Sequence, residues 1–109
     1  MLLDVKIEKE SMSIQIDNPF HCDVNGFAGQ IEKFASPKGV DVSEMGLPDL
    51  IKKMIKGIAG CEHGCPSDAK GFVRKGYQGF KLEYIEGGIL SATAKVNDKM
   101  VDLKMFPDF

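Results

Sequence analysis

The strongest constraint on the fold is a regular alternation of apolar and polar residues over positions 90–105. Successive side chains of a strand point to opposite faces of a sheet, so this alternation predicts strands with one buried face. Asn97-Asp98 interrupts the pattern, and both residue types tolerate the positive φ of a two-residue hairpin turn. The register that follows pairs Leu90 with Met105, Ala92 with Leu103, and Ala94 with Val101. The sequence therefore predicts a hairpin in this region.

A further strand precedes this hairpin. Phe80, Leu82 and Tyr84 alternate with polar residues, and Glu86-Gly87-Gly88 follows as a turn. A three-residue turn sets the apolar residues of this strand opposite those of the next, whereas a two-residue turn would set them opposite polar residues. We therefore predict a three-stranded meander.

A second hairpin is predicted at the N-terminus. Apolar residues alternate over positions 3–7 and 12–16, with Glu8-Lys9-Glu10-Ser11 between them as the turn. The predicted pairs are Ile7 with Met12, Val5 with Ile14, and Leu3 with Ile16. This register places all six apolar residues on one face.

Helical periodicity marks the middle of the chain. Phe27, Ile31 and Phe34 form a first stripe that ends at residues 36–39. A second helix starts at Leu47-Pro48-Asp49 and stops near Gly57 to Gly60. Its apolar stripe comprises Leu50, Ile51, Met54, Ile55 and Ile58. A third helix is predicted over 66–75.

The element order β-β-α-α-α-β-β-β predicts a single α+β domain over residues 1–109. The predicted architecture is a two-layer sandwich with helices on one face of an antiparallel sheet of about five strands. The strand order stays open.

Composition excludes several classes of function. The chain has 109 residues, 43% of them hydrophobic and 28% charged, and a formal net charge of −2. Without a basic run it lacks the signature of a nucleic-acid-binding protein, and its apolar runs are too short to span a membrane. Charged residues stand where a signal peptide needs an apolar block, which predicts a cytoplasmic chain. An odd number of cysteines, three, argues against a disulfide framework.

The candidate chemistry is concentrated in Cys61-Glu62-His63-Gly64-Cys65-Pro66. Thiolate and imidazole are the ligands that zinc prefers in proteins. Cys61, His63 and Cys65 supply three such ligands, and Cys22 or its neighbour His21 could complete a tetrahedral set if the fold brings them to the same rim. The other interpretation of His21 and Cys22 is a loop in which Asp23 or Asn25 caps the first helix.

The same residues also suit thiol chemistry. Cys65 precedes the predicted third helix, where unpaired amide groups favour a thiolate and lower the pKa of the thiol. Cys61 could then act as the resolving partner in a thiol–disulfide cycle. The Cys65-Pro66 step with Lys70 downstream resembles small sulfur-carrier proteins, and that resemblance implies sulfur transfer.

An iron–sulfur cluster is a third interpretation, because Cys61, Cys65 and Pro66 resemble the end of a bacterial ferredoxin motif. Three thiols fall short of the four that such a cluster needs, so we favour zinc. In the fourth interpretation Cys61 and Cys65 are buried structural residues.

We therefore expect an accessory protein that uses this segment for metal binding, thiol redox chemistry or sulfur transfer. The alternative is a non-catalytic interaction domain that meets another protein through its open sheet face or its C-terminal residues, 106–109.

Overall fold

The computed structural model describes residues 1–18, 21–43, 45–59 and 79–107. Within these ranges five antiparallel strands form one sheet and two helices complete the α+β fold, as predicted. The strands are β1 (Leu2–Ile7), β2 (Glu10–Gln15), β3 (Lys81–Ile85), β4 (Ile89–Val96) and β5 (Lys99–Phe106), and the helices are α1 (Val24–Ala35) and α2 (Leu47–Ala59). The third helix, predicted over 66–75, lies outside the described residues.

The strand order, which the sequence leaves open, is β2-β1-β5-β4-β3. β1 joins the N-terminal hairpin to the meander by pairing antiparallel with β5, so that Val5 lies opposite Leu103. The adjacent interior strands β1 and β5 thus come from the first and last parts of the described sequence. Their fully buried side chains connect the two hairpins through one core.

The predicted registers of the meander are confirmed. Leu90 pairs with Met105, Ala92 with Leu103 and Ala94 with Val101. The turn at residues 86–88 has three residues and places Leu82 opposite Ala92 and Tyr84 opposite Leu90. Asn97 and Asp98 both have positive φ, 52° and 64°, which is the backbone conformation expected of this two-residue hairpin turn.

The predicted register of the N-terminal hairpin is wrong by two residues. Val5 pairs with Met12 and Leu3 with Ile14, because the turn consists of Glu8 and Lys9 alone. Glu8 adopts a φ of 56°, a conformation in which a two-residue turn matches the twist of its strands. A shift of two residues preserves the face of every side chain. The predicted buried face is therefore retained.

Helix α2 matches its prediction, whereas the stripe predicted for α1 is off centre. All five stripe residues of α2 are buried. In α1 the buried residues are Val24, Ala28, Ile31 and Ala35, and Phe27 and Phe34 are half-buried at the margin of the core. Small alanines allow the helix to approach its neighbours closely, while the phenylalanine rings pack along its side. Within the described ranges, neither helix is long and apolar enough to cross a membrane.

Candidate thiol and metal site

The structure describes one of the four predicted site residues. Cys61, His63 and Cys65 lie outside the described residues, and Cys22 lies inside them. The Cys22 side chain is half-buried and packs against the hydrophobic core just before α1. The structure thus defines one thiol and the ends of the elements on either side of the cysteine-rich segment.

The start of α1 fixes the backbone around Cys22. The Asp23 carboxylate accepts a hydrogen bond from Gly26 N at 3.0 Å, which confirms one of the two predicted caps. The Cys22 carbonyl accepts a hydrogen bond from Val24 N at 3.2 Å. Because an N-cap satisfies amide groups that the helix leaves unpaired, it holds the preceding residue in a defined position. Capping and a ligand role for Cys22 are therefore compatible.

The two ends of the sheet can be told apart by their turns. The Asn97 end carries the turns Glu8-Lys9 and Asn97-Asp98, since Ile7 pairs with both Glu10 and Val101. The Gly87 end carries the turn at residues 86–88 and the pair Leu2–Phe106. β2 runs from the Asn97 end to the Gly87 end.

Helix α1 runs back in the opposite direction. Just beyond its last residue, the ammonium group of Lys38 lies 2.8 Å from the Glu10 carboxylate at the Asn97 end. The Lys99 ammonium, also at that end, donates to the Lys38 carbonyl. The chain leaves β2 at the Gly87 end and then enters α1. Because α1 ends at the Asn97 end, it begins at the Gly87 end. Cys22 therefore lies towards the Gly87 end.

Helix α2 returns to that same end. Before it starts, Asp41 N donates a hydrogen bond to Asn97 Oδ1 at 3.2 Å. In its last turn, the Gly57 carbonyl accepts a hydrogen bond from Tyr84 Oη at 2.8 Å. Tyr84 is paired with Leu90 next to the turn at residues 86–88. Cys22 and Ala59, the last residue of α2, therefore share the Gly87 end, and one residue separates Ala59 from Cys61 in the sequence.

Gly57 and Tyr84 fix the end of α2, a role that the sequence patterns do not indicate. A Cβ atom on Gly57 would lie 3.0 Å from Tyr84 Oη and 3.2 Å from Leu90 Cδ2, so the helix approaches the sheet more closely than most residues would allow. Tyr84 faces the core as predicted but is 38% exposed, because β3 is an edge strand. The tyrosine thus holds the segment that leads to Cys61.

Replacing Tyr84 with phenylalanine should reduce the free energy of unfolding by about 0.5–1.5 kcal/mol at neutral pH, because one hydrogen bond is lost. Burial raises the pKa of the Tyr84 phenol above its ordinary value of 10.0. The unfolded chain therefore ionises first, and the stabilisation is complete below about pH 10 and falls as the pH rises through the folded pKa. Urea unfolding of both proteins from pH 7 to 11 should show their difference shrinking above pH 10. A difference that grows there would contradict this role.

A surface depression of about 480 Å³ lies at the Asn97 end. Its lining includes Glu32, Asp41, Ser43 and Asn97. Hydrogen bonds from the Ser43 hydroxyl and then from its backbone N–H lower the pKa of Asp41. At neutral pH this carboxylate is ionised, so it could accept a proton but not donate one.

Among the described residues, no three histidine, cysteine, aspartate or glutamate side chains gather closely enough to hold a metal ion. A metal site with three or more such ligands that includes Cys22 would therefore take at least one of them from outside these ranges. Comparisons of the chain with protein-family models, curated protein sequences and solved structures found no match.

Proposed function

We propose that this chain is a small accessory protein that binds a soft divalent metal ion, with zinc as the best fit. The proposed ligands are Cys22, Cys61, His63 and Cys65. Three thiolates and one imidazole form a ligand set typical of structural, four-coordinate zinc sites. The observation that supports this proposal is that Cys22 and the end of α2 both lie at the Gly87 end of the sheet.

The location of Cys22 suits a ligand that closes a site from a distant part of the sequence. Its side chain is half-buried against the core, and the Asp23 cap holds the adjacent backbone. Little conformational entropy is then lost when the thiolate binds, which favours metal affinity. A bound ion would tie the start of α1 to the segment that follows α2, and its binding energy would add to the stability of the fold.

Thiol chemistry is the second part of the proposal and uses the same residues. In the metal-free protein the Cys65 thiolate would attack a disulfide of a partner and release one partner thiolate, and Cys61 would then attack the mixed disulfide, release the second thiolate and leave a Cys61–Cys65 disulfide. In sulfur transfer, Cys65 would instead attack the outer sulfur of a persulfide donor, whose own thiolate leaves. A metal ion on these thiolates would block that reaction, so the two activities exclude each other at any one moment.

The alternative, a protein-interaction domain, is supported by one surface feature. Leu2 and Phe106 pair with each other on the outer face of the sheet, as do Ile85 and Ile89, and all four side chains are half-buried. Apolar side chains on an outer face are common at interfaces with another protein. This patch lies at the Gly87 end, like Cys22.

The metal proposal is tested by competition titration of zinc under reducing conditions with Cys22→Ser and with His21→Ala as its matched control. Loss of a direct ligand should weaken zinc binding by ~100-fold or more, whereas the neighbouring exposed histidine lies outside the proposed set and its loss should change affinity little. Equal affinities of Cys22→Ser and the unmodified protein would remove Cys22 from the site. An unmodified protein that binds no zinc would overturn the metal proposal.

A further inference from the structure

Edge strand β2 presents a row of outward-facing backbone groups. Ile16 N donates to the Met1 carbonyl at 2.8 Å, and the Met1 ammonium donates to the Ile16 carbonyl at 3.3 Å. The backbone N–H and C=O of Ile16 therefore point towards β1. Alternate residues of an antiparallel strand bond to opposite sides. Ser11, Ser13 and Gln15 therefore direct their N–H and C=O groups away from the sheet, and all three residues are exposed. This edge can accept another strand.

The middle of β2 carries no charge that would protect its edge, and the one charged residue of the strand, Glu10, is paired with Lys38. Natural sheets discourage pairing at their edges with charged residues, proline or bulges. β3, the other edge strand, exposes the charged side chains of Lys81 and Glu83. The three outward-facing residues of β2 are uncharged. The composition thus favours pairing at β2 over pairing at β3.

A strip of apolar side chains accompanies the β2 edge. The Lys38 ammonium lies 3.9 Å from the centroid of the Phe34 ring and 2.8 Å from the Glu10 carboxylate, so Phe34 lies beside the start of β2. Phe27, two helical turns earlier, faces the same side of α1. Met12 of β2 is half-buried, as are both rings. A strand added at this edge would cover part of this strip.

We propose that a second copy of this chain pairs with β2 in antiparallel orientation, with Ser13 on the two-fold axis. The five described strands of each copy would then form one continuous sheet of ten. Ser13 then lies opposite the partner's Ser13, and Ser11 lies opposite the partner's Gln15. All outward-facing residues of both copies are paired in this register, which gives about six backbone hydrogen bonds at two per bonded pair. A shift of two residues in either direction pairs fewer of them and gives about four.

Charge and apolar contacts favour the same register and the same occupant. Lys9 lies in the turn just before β2 and Asp17 lies just beyond its end, so this register brings Lys9 close to the partner's Asp17. The two-fold axis repeats this pair, and both residues are exposed in the single chain. On the face that carries the helices, Met12 lies opposite the partner's Ile14. A second copy is thus complementary to this edge in hydrogen bonding, charge and hydrophobicity. Such a symmetric contact closes on itself and leaves β3 as the edge of the dimer.

A charge-swap experiment tests this dimer. Sedimentation equilibrium at low ionic strength should show the unmodified protein as a dimer at micromolar concentration. Lys9→Glu alone and Asp17→Lys alone place like charges opposite each other twice, and each should raise the dimer dissociation constant roughly tenfold. An equimolar mixture of the two variants should recover dimers, because both pairs in the mixed dimer are again of opposite charge. A monomeric unmodified protein, dissociation constants unaffected by either change, or a mixture that recovers nothing would each overturn the proposal.

Cross-linking tests the register independently of charge. Hydrogen-bonded partners in antiparallel strands have Cα atoms about 5.5 Å apart, within the range of a disulfide. Ser13→Cys should therefore form a cross-link between two positions 13, identified by mass spectrometry apart from the native cysteines. Ser11→Cys is the matched control, because its two copies would be offset by four residues, about 13 Å. A cross-link between two positions 11, or none between two positions 13, would contradict this register.

Discussion

Replacing Leu103 with alanine should lower the free energy of unfolding by about 2–5 kcal/mol, measured by urea denaturation. Leu103 is fully buried in central strand β5, between Val5 of β1 and Ala92 of β4. Removing its side chain loses apolar burial and leaves a cavity where the two hairpins meet. Because small domains are stable by only about 5–15 kcal/mol, this single change would remove a large share of the total.

Met100→Ala is the matched control for this prediction. Met100 belongs to the same strand but is 50% exposed on the outer face, so its truncation should change the unfolding free energy by less than about 0.5 kcal/mol. Comparable losses for the two variants would contradict the placement of Leu103 at the centre of the core.

The second large effect is expected from metal removal. A ligand that binds only the folded state stabilises it by about 2.7 kcal/mol at a hundred times its dissociation constant. Thermal unfolding of the reduced protein should therefore occur at lower temperature in the presence of a chelator than in the presence of zinc. The transition temperature should rise steadily with the logarithm of the free zinc concentration, because the metal would tie Cys22 to the segment beyond α2.

The doubly substituted protein Cys61→Ser/Cys65→Ser is the control for metal removal. It lacks two of the four proposed ligands, so its transition temperature should be the same with zinc and with chelator. A zinc-dependent rise that persists in this variant would show that the metal binds elsewhere. No rise in the unmodified protein would argue that its thiols hold no structural metal.

The accuracy of the sequence predictions followed the strength of the local signals. Asn97-Asp98 and the glycine pair 87–88 specify positive φ, so the registers of the meander were predictable. Glu8-Lys9 carries no such signal, and the N-terminal register was therefore predicted two residues away from the observed one. In α1, two different sets of apolar residues have helical spacing, so the sequence does not decide which set is buried. Only the packing of the helix shows that Ala28 and Ala35 lie at the centre of the buried stripe.

Long-range features were beyond the reach of sequence patterns. The pairing of β1 with β5 joins residues about a hundred positions apart, and no local preference specifies it. The hydrogen bond from Tyr84 to Gly57 likewise depends on how α2 crosses the sheet. For the candidate site, the sequence identified the residue types, and the described fold added the shared position of Cys22 and the end of α2.

The most direct test of the proposed function is the metal content of this 109-residue chain purified under reducing conditions, measured by inductively coupled plasma mass spectrometry. We expect about one zinc ion per chain, as in other sites with four protein ligands, and a large loss of zinc in Cys65→Ser. A protein that is folded by circular dichroism and carries no stoichiometric metal, even after incubation with zinc, would contradict the proposal.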